Sequence, residues 1–130
     1  MREIKFRAYD PALGMCEVKS INFDSQTLWV SNGSNMLYEL SFENSPPIEY
    51  TGLKDKNGKE IYEGDICNFF IEHYFPDRIE PWHPEIRDIE WNPECGAWWP
   101  FADNDDGMPY PKAKNCEIIG NIYENSELLK

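Results

Sequence analysis

The stretch YTGLKDKNGKEIYEGDI, residues 50 to 66, decides the fold class. It carries two chain-reversal signals close together, Lys56-Asn57-Gly58-Lys59 and Glu63-Gly64-Asp65. An Asn-Gly pair between apolar runs is the strongest short-range hairpin signal, because a type I′ turn needs positive φ at both central residues. Asn57-Gly58 therefore closes a hairpin between YTGLKD and KEIY, and Glu63-Gly64-Asp65 bends the chain into a further strand, ICNFFI. Strands of only about four to six residues suit a small, strongly bent barrel better than a flat open sheet.

On the N-terminal side, Ile4, Phe6 and Ala8 alternate with Lys5 and Arg7, the period-two pattern of a half-buried strand. Asp10-Pro11-Ala12-Leu13-Gly14 supplies a reversal, and residues 15 to 23 form the return strand with Ile21 and Phe23 facing one way. TLWV and MLYEL, separated by Ser31-Asn32-Gly33-Ser34, read as another Asn-Gly hairpin, so the opening third is a meander. On the C-terminal side, CEIIGNIYE is one more strand, and NSELLK closes the chain as a helical turn begun by Asn125 or Ser126. The fold class is mostly β.

A chain of 130 residues with 15% aromatic content suits one compact domain that needs no staple to fold. The charged N-terminus MREIKFRAYD does not suit a signal peptide, and no window has the apolar length of a membrane helix. A soluble, cytoplasmic protein is the expectation. Cys16, Cys67, Cys95 and Cys116 are scattered, with no pair at a zinc half-site spacing, and read as buried reduced thiols.

The net charge of −12 is uneven. Residues 1 to 61 hold 9 acids and 7 bases, giving −2; residues 62 to 110 hold 12 acids against Arg78 and Arg87 alone, giving −10; residues 111 to 130 balance at 3 of each. Such a surface repels phosphates, which argues against direct nucleic-acid binding and for a basic protein partner or a cation. Residues 73 to 114 also hold seven of the ten prolines and four of the five tryptophans. Proline at that density interrupts ladders and helices alike, so most of this segment reads as a long ordered loop. Within it IRDIEW alternates as a strand does, and GAWWPF can pair with it across Asn92-Pro93-Glu94.

YTGLKDKNGKEIYEGDI, the opening REIKFRAYD and the close EIIGNIYENSELL together resemble the YopX family of small bacteriophage and prophage proteins. The resemblance covers residues 1 to 72 and 115 to 130, and leaves 73 to 114 as an acidic, Trp/Pro-rich insertion within a single domain spanning 1 to 130. It implies a small barrel of the Src-homology-3 type with flanking hairpins, encoded by a phage or prophage of a Gram-positive host. It brings no catalytic residue and no cofactor.

Candidate function therefore rests on the middle segment. Trp82, Trp91, Trp98 and Trp99 are potential interface anchors, because a few amphipathic aromatics carry most of the energy of many interfaces. Adjacent strand residues face opposite sides, so Trp98 and Trp99 do not share a core face. Glu85, Asp88, Glu90 and Glu94 supply steering and specificity, and the wider series from Glu72 to Asp106 can imitate a nucleic-acid backbone toward a basic groove. The plainer reading makes the indoles a roof over a small core and the carboxylates a solvated surface. A metal site drawn from His73, His83, Asp77, Glu85, Asp88 and Cys95 has no recognised coordination spacing. No nucleophile elbow or phosphate-binding loop is present, so the expectation is a non-enzymatic binding protein without a cofactor or metal. A metal-dependent hydrolase and a self-assembling, homo-oligomeric structural protein are the alternatives.

Overall fold

The computed structural model describes residues 3–69, 72–74, 76–81, 85–94, 96–101 and 112–129, with the backbone alone described at 72–74, 79–81 and 85. The chain divides into two compact units, residues 1–50 and 51–130. Both are built from antiparallel strands, as the alternating pattern requires.

Unit 1 is the expected meander. Strands β1 (Phe6–Asp10), β2 (Gly14–Asn22), β3 (Thr27–Ser31) and β4 (Tyr38–Ser41) lie in the order β4-β3-β2-β1. The first residues of β5 (Ile48–Lys54) pair with the free side of β1, Phe6 opposite Glu49 and Arg7 opposite Ile48. Asp10 shapes the first reversal by accepting the N–H groups of Ala12 and Leu13 at 2.9 and 3.0 Å. Ala8, Cys16, Leu28 and Val30 form the buried face, and Val18, Ile21, Leu40 and Phe42 pack against it.

Two details of this unit differ from the sequence reading. A register shift between Val18 and Ser20 brings Ile21 onto the face that Cys16 and Val18 occupy, and the strand ends at Asn22, so Phe23 lies in the following turn and is exposed, its ring edge-on to Phe42 at 6.1 Å. The turn after β3 is a longer loop, 32–37, in which the Asn32 side chain accepts from the Ser34 N–H and hydroxyl. Asn32 is not at positive φ, so no type I′ turn forms there.

Unit 2 begins with the decisive stretch. The later residues of β5 pair with β6 (Glu60–Tyr62), and β7 (Asp65–Phe69) follows at once. The hairpin at Asn57-Gly58 is present, but Gly58 alone is left-handed, at φ +80°. Gly58 N–H donates to Asp55 C=O at 3.0 Å and Asp55 N–H donates to Lys59 C=O at 2.9 Å. This is a type I turn closed by a glycine bulge, with Asp55 Oδ1 accepting from Asn57 and Lys59, each at 2.9 Å.

A second sheet has the order β10-β7-β13, where β10 is Glu85–Asp88 and β13 is Cys116–Asn121. Two small hairpins, β8 (Glu72–Tyr74) with β9 (Ile79–Pro81) and β11 (Glu90–Asn92) with β12 (Ala97–Trp99), complete the strands. Short 3-10 turns cover Ala113–Asn115 and Ser126–Leu129, the latter being the expected C-terminal helical turn. The core of the unit is Ile61, Cys67, Phe69, Ile89, Trp98 and Cys116.

The expected small barrel of the Src-homology-3 type is not what these sheets form. Among the described residues they are open and antiparallel, and no closed barrel is present. Closure needs an unbroken ring of pairing, whereas the ladder through β7 ends at β10 on one side and β13 on the other. The middle segment is also richer in strand than its prolines suggest. IRDIEW splits at Ile89, its first part pairing with β7 and its second with β12.

Candidate functional site

The turn Glu63-Gly64-Asp65 organises the middle segment. Asp65 is buried, and its Oδ2 accepts the Tyr62 N–H at 2.8 Å, closing the bend between β6 and β7. Gly64 takes φ +85°, where only glycine is comfortable. Its N–H donates to Ile89 C=O at 2.7 Å, and Ile89 N–H donates to Asp65 C=O at 2.8 Å. Ile122 N–H donates to Gly64 C=O at 2.8 Å. Both backbone groups of buried Ile89 are thus held by one turn, and Ile89 directly precedes β11. The most recognisable stretch of the sequence is therefore structural, and it aims the β11–β12 hairpin.

That hairpin sorts the candidate residues by face. Trp91 stands opposite Trp98, Glu90 opposite Trp99 and Asn92 opposite Ala97. Alternation puts Trp91 and Trp98 on one side and Glu90 and Trp99 on the other. Trp98 is the core residue, 6% exposed, and its buried Nε1 has no hydrogen-bond partner. Trp91 is 44% exposed and meets Trp98 edge-to-face, with centroids 5.1 Å apart and planes at 70°. Trp99 is half-buried, as adjacency to Trp98 requires. The turn is braced by Asn92, whose side-chain oxygen accepts the Glu94 N–H at 3.0 Å and whose carbonyl accepts the Gly96 N–H at 2.9 Å.

The carboxylates do not gather at one point. Glu90 and Glu94 are exposed, and Asp88 is half-buried on β10 opposite Ile66. Glu85 lies on β10 opposite Phe69 at the backbone level, its side chain being outside the described residues, as is the whole of Trp82. Asp77 is exposed and pairs with its neighbour Arg78 at 3.2 Å. His73 faces Glu80 in the β8–β9 register, but its side chain, His83 and Cys95 lie outside the described residues. Among the described residues, no three His, Cys, Asp or Glu side chains come close enough together to hold a metal ion.

Sequence reasoning missed two buried carboxylates. Asp55 Oδ2 accepts the N–H of Ile118 on β13 at 3.1 Å, and Lys56 N–H donates to Cys116 C=O at 3.0 Å. Burial alone would raise the Asp55 pKa, but the N–H groups of Ile118, Lys59 and Asn57 and the charge of Lys59 outweigh it and hold the pKa below the usual carboxylate value. Asp-x-Asn-Gly marks a capped turn; nothing in the local sequence points to Ile118.

The sequence profile of the YopX protein family matches residues 5–130. The chain belongs to the YopX family. Residues 73 to 114 lie within the bounds of that match. No curated protein matches this YopX chain. Its fold is similar to that in the crystal structure of protein EF1440 from Enterococcus faecalis, at 26% identity and TM-score 0.62 with both chains covered in full. No helix among the described residues is long and apolar enough to cross a membrane.

Proposed function

We propose that this YopX protein is a non-enzymatic phage or prophage accessory protein, working in the cytoplasm of a bacterial host, that binds a basic protein through the β11–β12 hairpin. The observation that carries the reading is Trp91: a large indole, nearly half exposed, seated edge-on against a buried partner ring. A ring held this way loses little freedom on binding, which is what makes a rigid aromatic a strong anchor. Exposed Glu90 and Glu94 flank it in a segment of net charge −10, so a cationic partner is drawn in and oriented. Glu90 shares its face with half-buried Trp99, a carboxylate beside an indole, which suits an arginine or lysine side chain. A partner that ordinarily grips nucleic acid fits this chemistry, because ordered carboxylates can stand in for phosphates.

The test is capture from the lysate of a Gram-positive host with the whole protein and with a Trp91→Ala, Glu90→Lys, Glu94→Lys variant shown to be folded at the temperature of the experiment. The reading expects a basic protein held by the former, lost with the latter, and released as NaCl rises from about 50 to 500 mM. A partner retained equally by both proteins would show that the hairpin is not the binding surface.

A further inference from the structure

Unit 1 carries a sheet edge, the outer side of β4, that pairs with no strand among the described residues. Phe42 N–H donates to Gln26 C=O at 2.9 Å, one step beyond the Thr27–Ser41 pair that begins the β3–β4 ladder. Bonded and non-bonded pairs alternate along an antiparallel ladder. The phase set by Gln26 and Phe42 makes Leu28–Leu40 and Val30–Tyr38 the bonded pairs, and Thr27–Ser41 and Trp29–Glu39 the non-bonded ones. The backbone groups of Glu39 and Ser41 therefore point away from β3, toward a side where β4 pairs with no strand among the described residues. Ser45 N–H takes the Ser41 carbonyl at 2.9 Å. The Glu39 N–H, the Glu39 carbonyl and the Ser41 N–H take no backbone partner among the described residues.

Exposed apolar side chains flank this edge, and the charged residues nearest to it in sequence are acidic. Met36 and Leu37, just before β4, are 62% and 52% exposed, and Trp29 is 42% exposed on the same face as Glu39. Residues 20 to 53 contain four acids, Asp24, Glu39, Glu43 and Glu49, and no lysine or arginine. Exposed Glu39 sits at the middle of the edge with Trp29 directly opposite at the closer, non-bonded spacing.

We propose that the outer edge of β4 docks an extended segment of another protein by strand addition, and that this segment places a lysine or arginine opposite Glu39. Main-chain bonds to Glu39 and Ser41 supply attachment, and the cation opposite Glu39, with an apolar side chain two residues away against Leu37, supplies selectivity. A second copy fits less well. Self-pairing centred on Leu40 needs the Ser41 carbonyl that Ser45 already holds, and self-pairing centred on Glu39 sets two glutamates directly opposite. This edge lies in unit 1, and its occupation does not depend on the β11–β12 hairpin.

The probes are two blocked synthetic peptides, Thr-Val-Thr-Arg-Thr-Val-Thr and the same peptide with Glu at its centre, titrated into the nitrogen-15-labelled whole protein. The arginine peptide is expected to shift the Glu39 and Ser41 amide resonances and to slow their hydrogen exchange about tenfold at ten times its Kd, with the glutamate peptide weaker. In a Glu39→Lys variant the preference should invert, a readout that a loss of folding cannot imitate. Unchanged Glu39 and Ser41 amides at millimolar arginine peptide would overturn the proposal. Equal responses to both peptides, shifts confined to the β11–β12 hairpin, or a response to protein concentration alone would each do the same.

Discussion

Asp55 accepts the backbone N–H of Ile118 at 3.1 Å, across sixty-three positions of the chain. The bond joins the first hairpin of unit 2 to its last strand, and the same carboxylate holds the turn itself through Asn57 and Lys59. One buried side chain thus serves as local cap and long-range clasp.

The first prediction concerns this clasp. Asp55→Ala leaves N–H groups of Asn57, Lys59 and Ile118 without their acceptor, at a cost of about 2–4 kcal/mol, given 1–3 for each group left truly unsatisfied and partial rescue by water. Asp55→Asn restores one oxygen and should recover part of the loss. Because the folded pKa lies below the unfolded value near 3.8, the carboxylate's contribution is complete above that pH and is lost as pH falls through the folded value. Urea midpoints between pH 2 and 6 should therefore fall toward acid more steeply for the natural protein than for Asp55→Asn. Parallel curves would show that Asp55 is not the group responsible.

A second prediction separates two glycines that look alike in sequence. Gly58 and Gly64 both sit at positive φ, +80° and +85°. A Cβ on Gly58 meets nothing within 4 Å, while one on Gly64 would stand 3.1 Å from Tyr123 Cε2 and 3.3 Å from Ile122 Cδ1. Gly58→Ala should cost about 1 kcal/mol, the left-handed penalty alone. Gly64→Ala should cost clearly more, because rings and methyls packed on the turn must also move. Equal melting temperatures for the two variants would contradict the packing around Gly64.

What the sequence made legible here was periodic and local. Alternation placed β1 and β2, Asn57-Gly58 placed a hairpin, and GAWWPF paired with the end of IRDIEW as its spacing suggested. What escaped was non-local. The register shift after Val18 that brings Ile21 onto the buried face, the Ile89 backbone held by Gly64 and Asp65, and the reach of Asp55 to Ile118 all depend on partners far along the chain. At Asn32-Gly33 the competing chemistry was the Asn32 side chain, which caps Ser34 and leaves only Gly33 at positive φ. The division of the tryptophans was half legible: adjacency required that Trp98 and Trp99 part, but not which of them would enter the core. The closed barrel failed because strand length constrains a barrel without specifying that the ladder closes.

The third prediction is chemical. Cys16, Cys67 and Cys116 are buried free thiols. The hydrogen bond between Cys67 and Cys116 raises the Cys67 pKa, burial adds to it, and the nearby Cys116, Asp65 and Asp55 charges add further. Burial, with Asp10 beside it, raises Cys16 as well. Only the thiolate reacts, so in a Cys95→Ser protein at pH 8 a disulfide reagent should label no thiol quickly until denaturant is added. One rapidly labelled equivalent under native conditions would place a thiol where the core is not closed.

The fourth prediction sets Trp91 against Trp98, neighbours across β11 and β12 with opposite roles. Trp98 is part of the core of unit 2, so Trp98→Ala should cost about 3–5 kcal/mol, the usual loss for a large buried aromatic. Trp98→Phe should cost much less, because it keeps most of the apolar volume and removes an indole N–H that has no acceptor. Trp91→Ala forfeits only the edge-to-face contact and partial burial, about 1 kcal/mol. It should abolish partner capture while lowering the melting temperature by only a few degrees. If Trp91→Ala unfolds the protein as readily as Trp98→Ala, the ring is a structural element of the core, and the β11–β12 hairpin loses its claim to be a recognition surface.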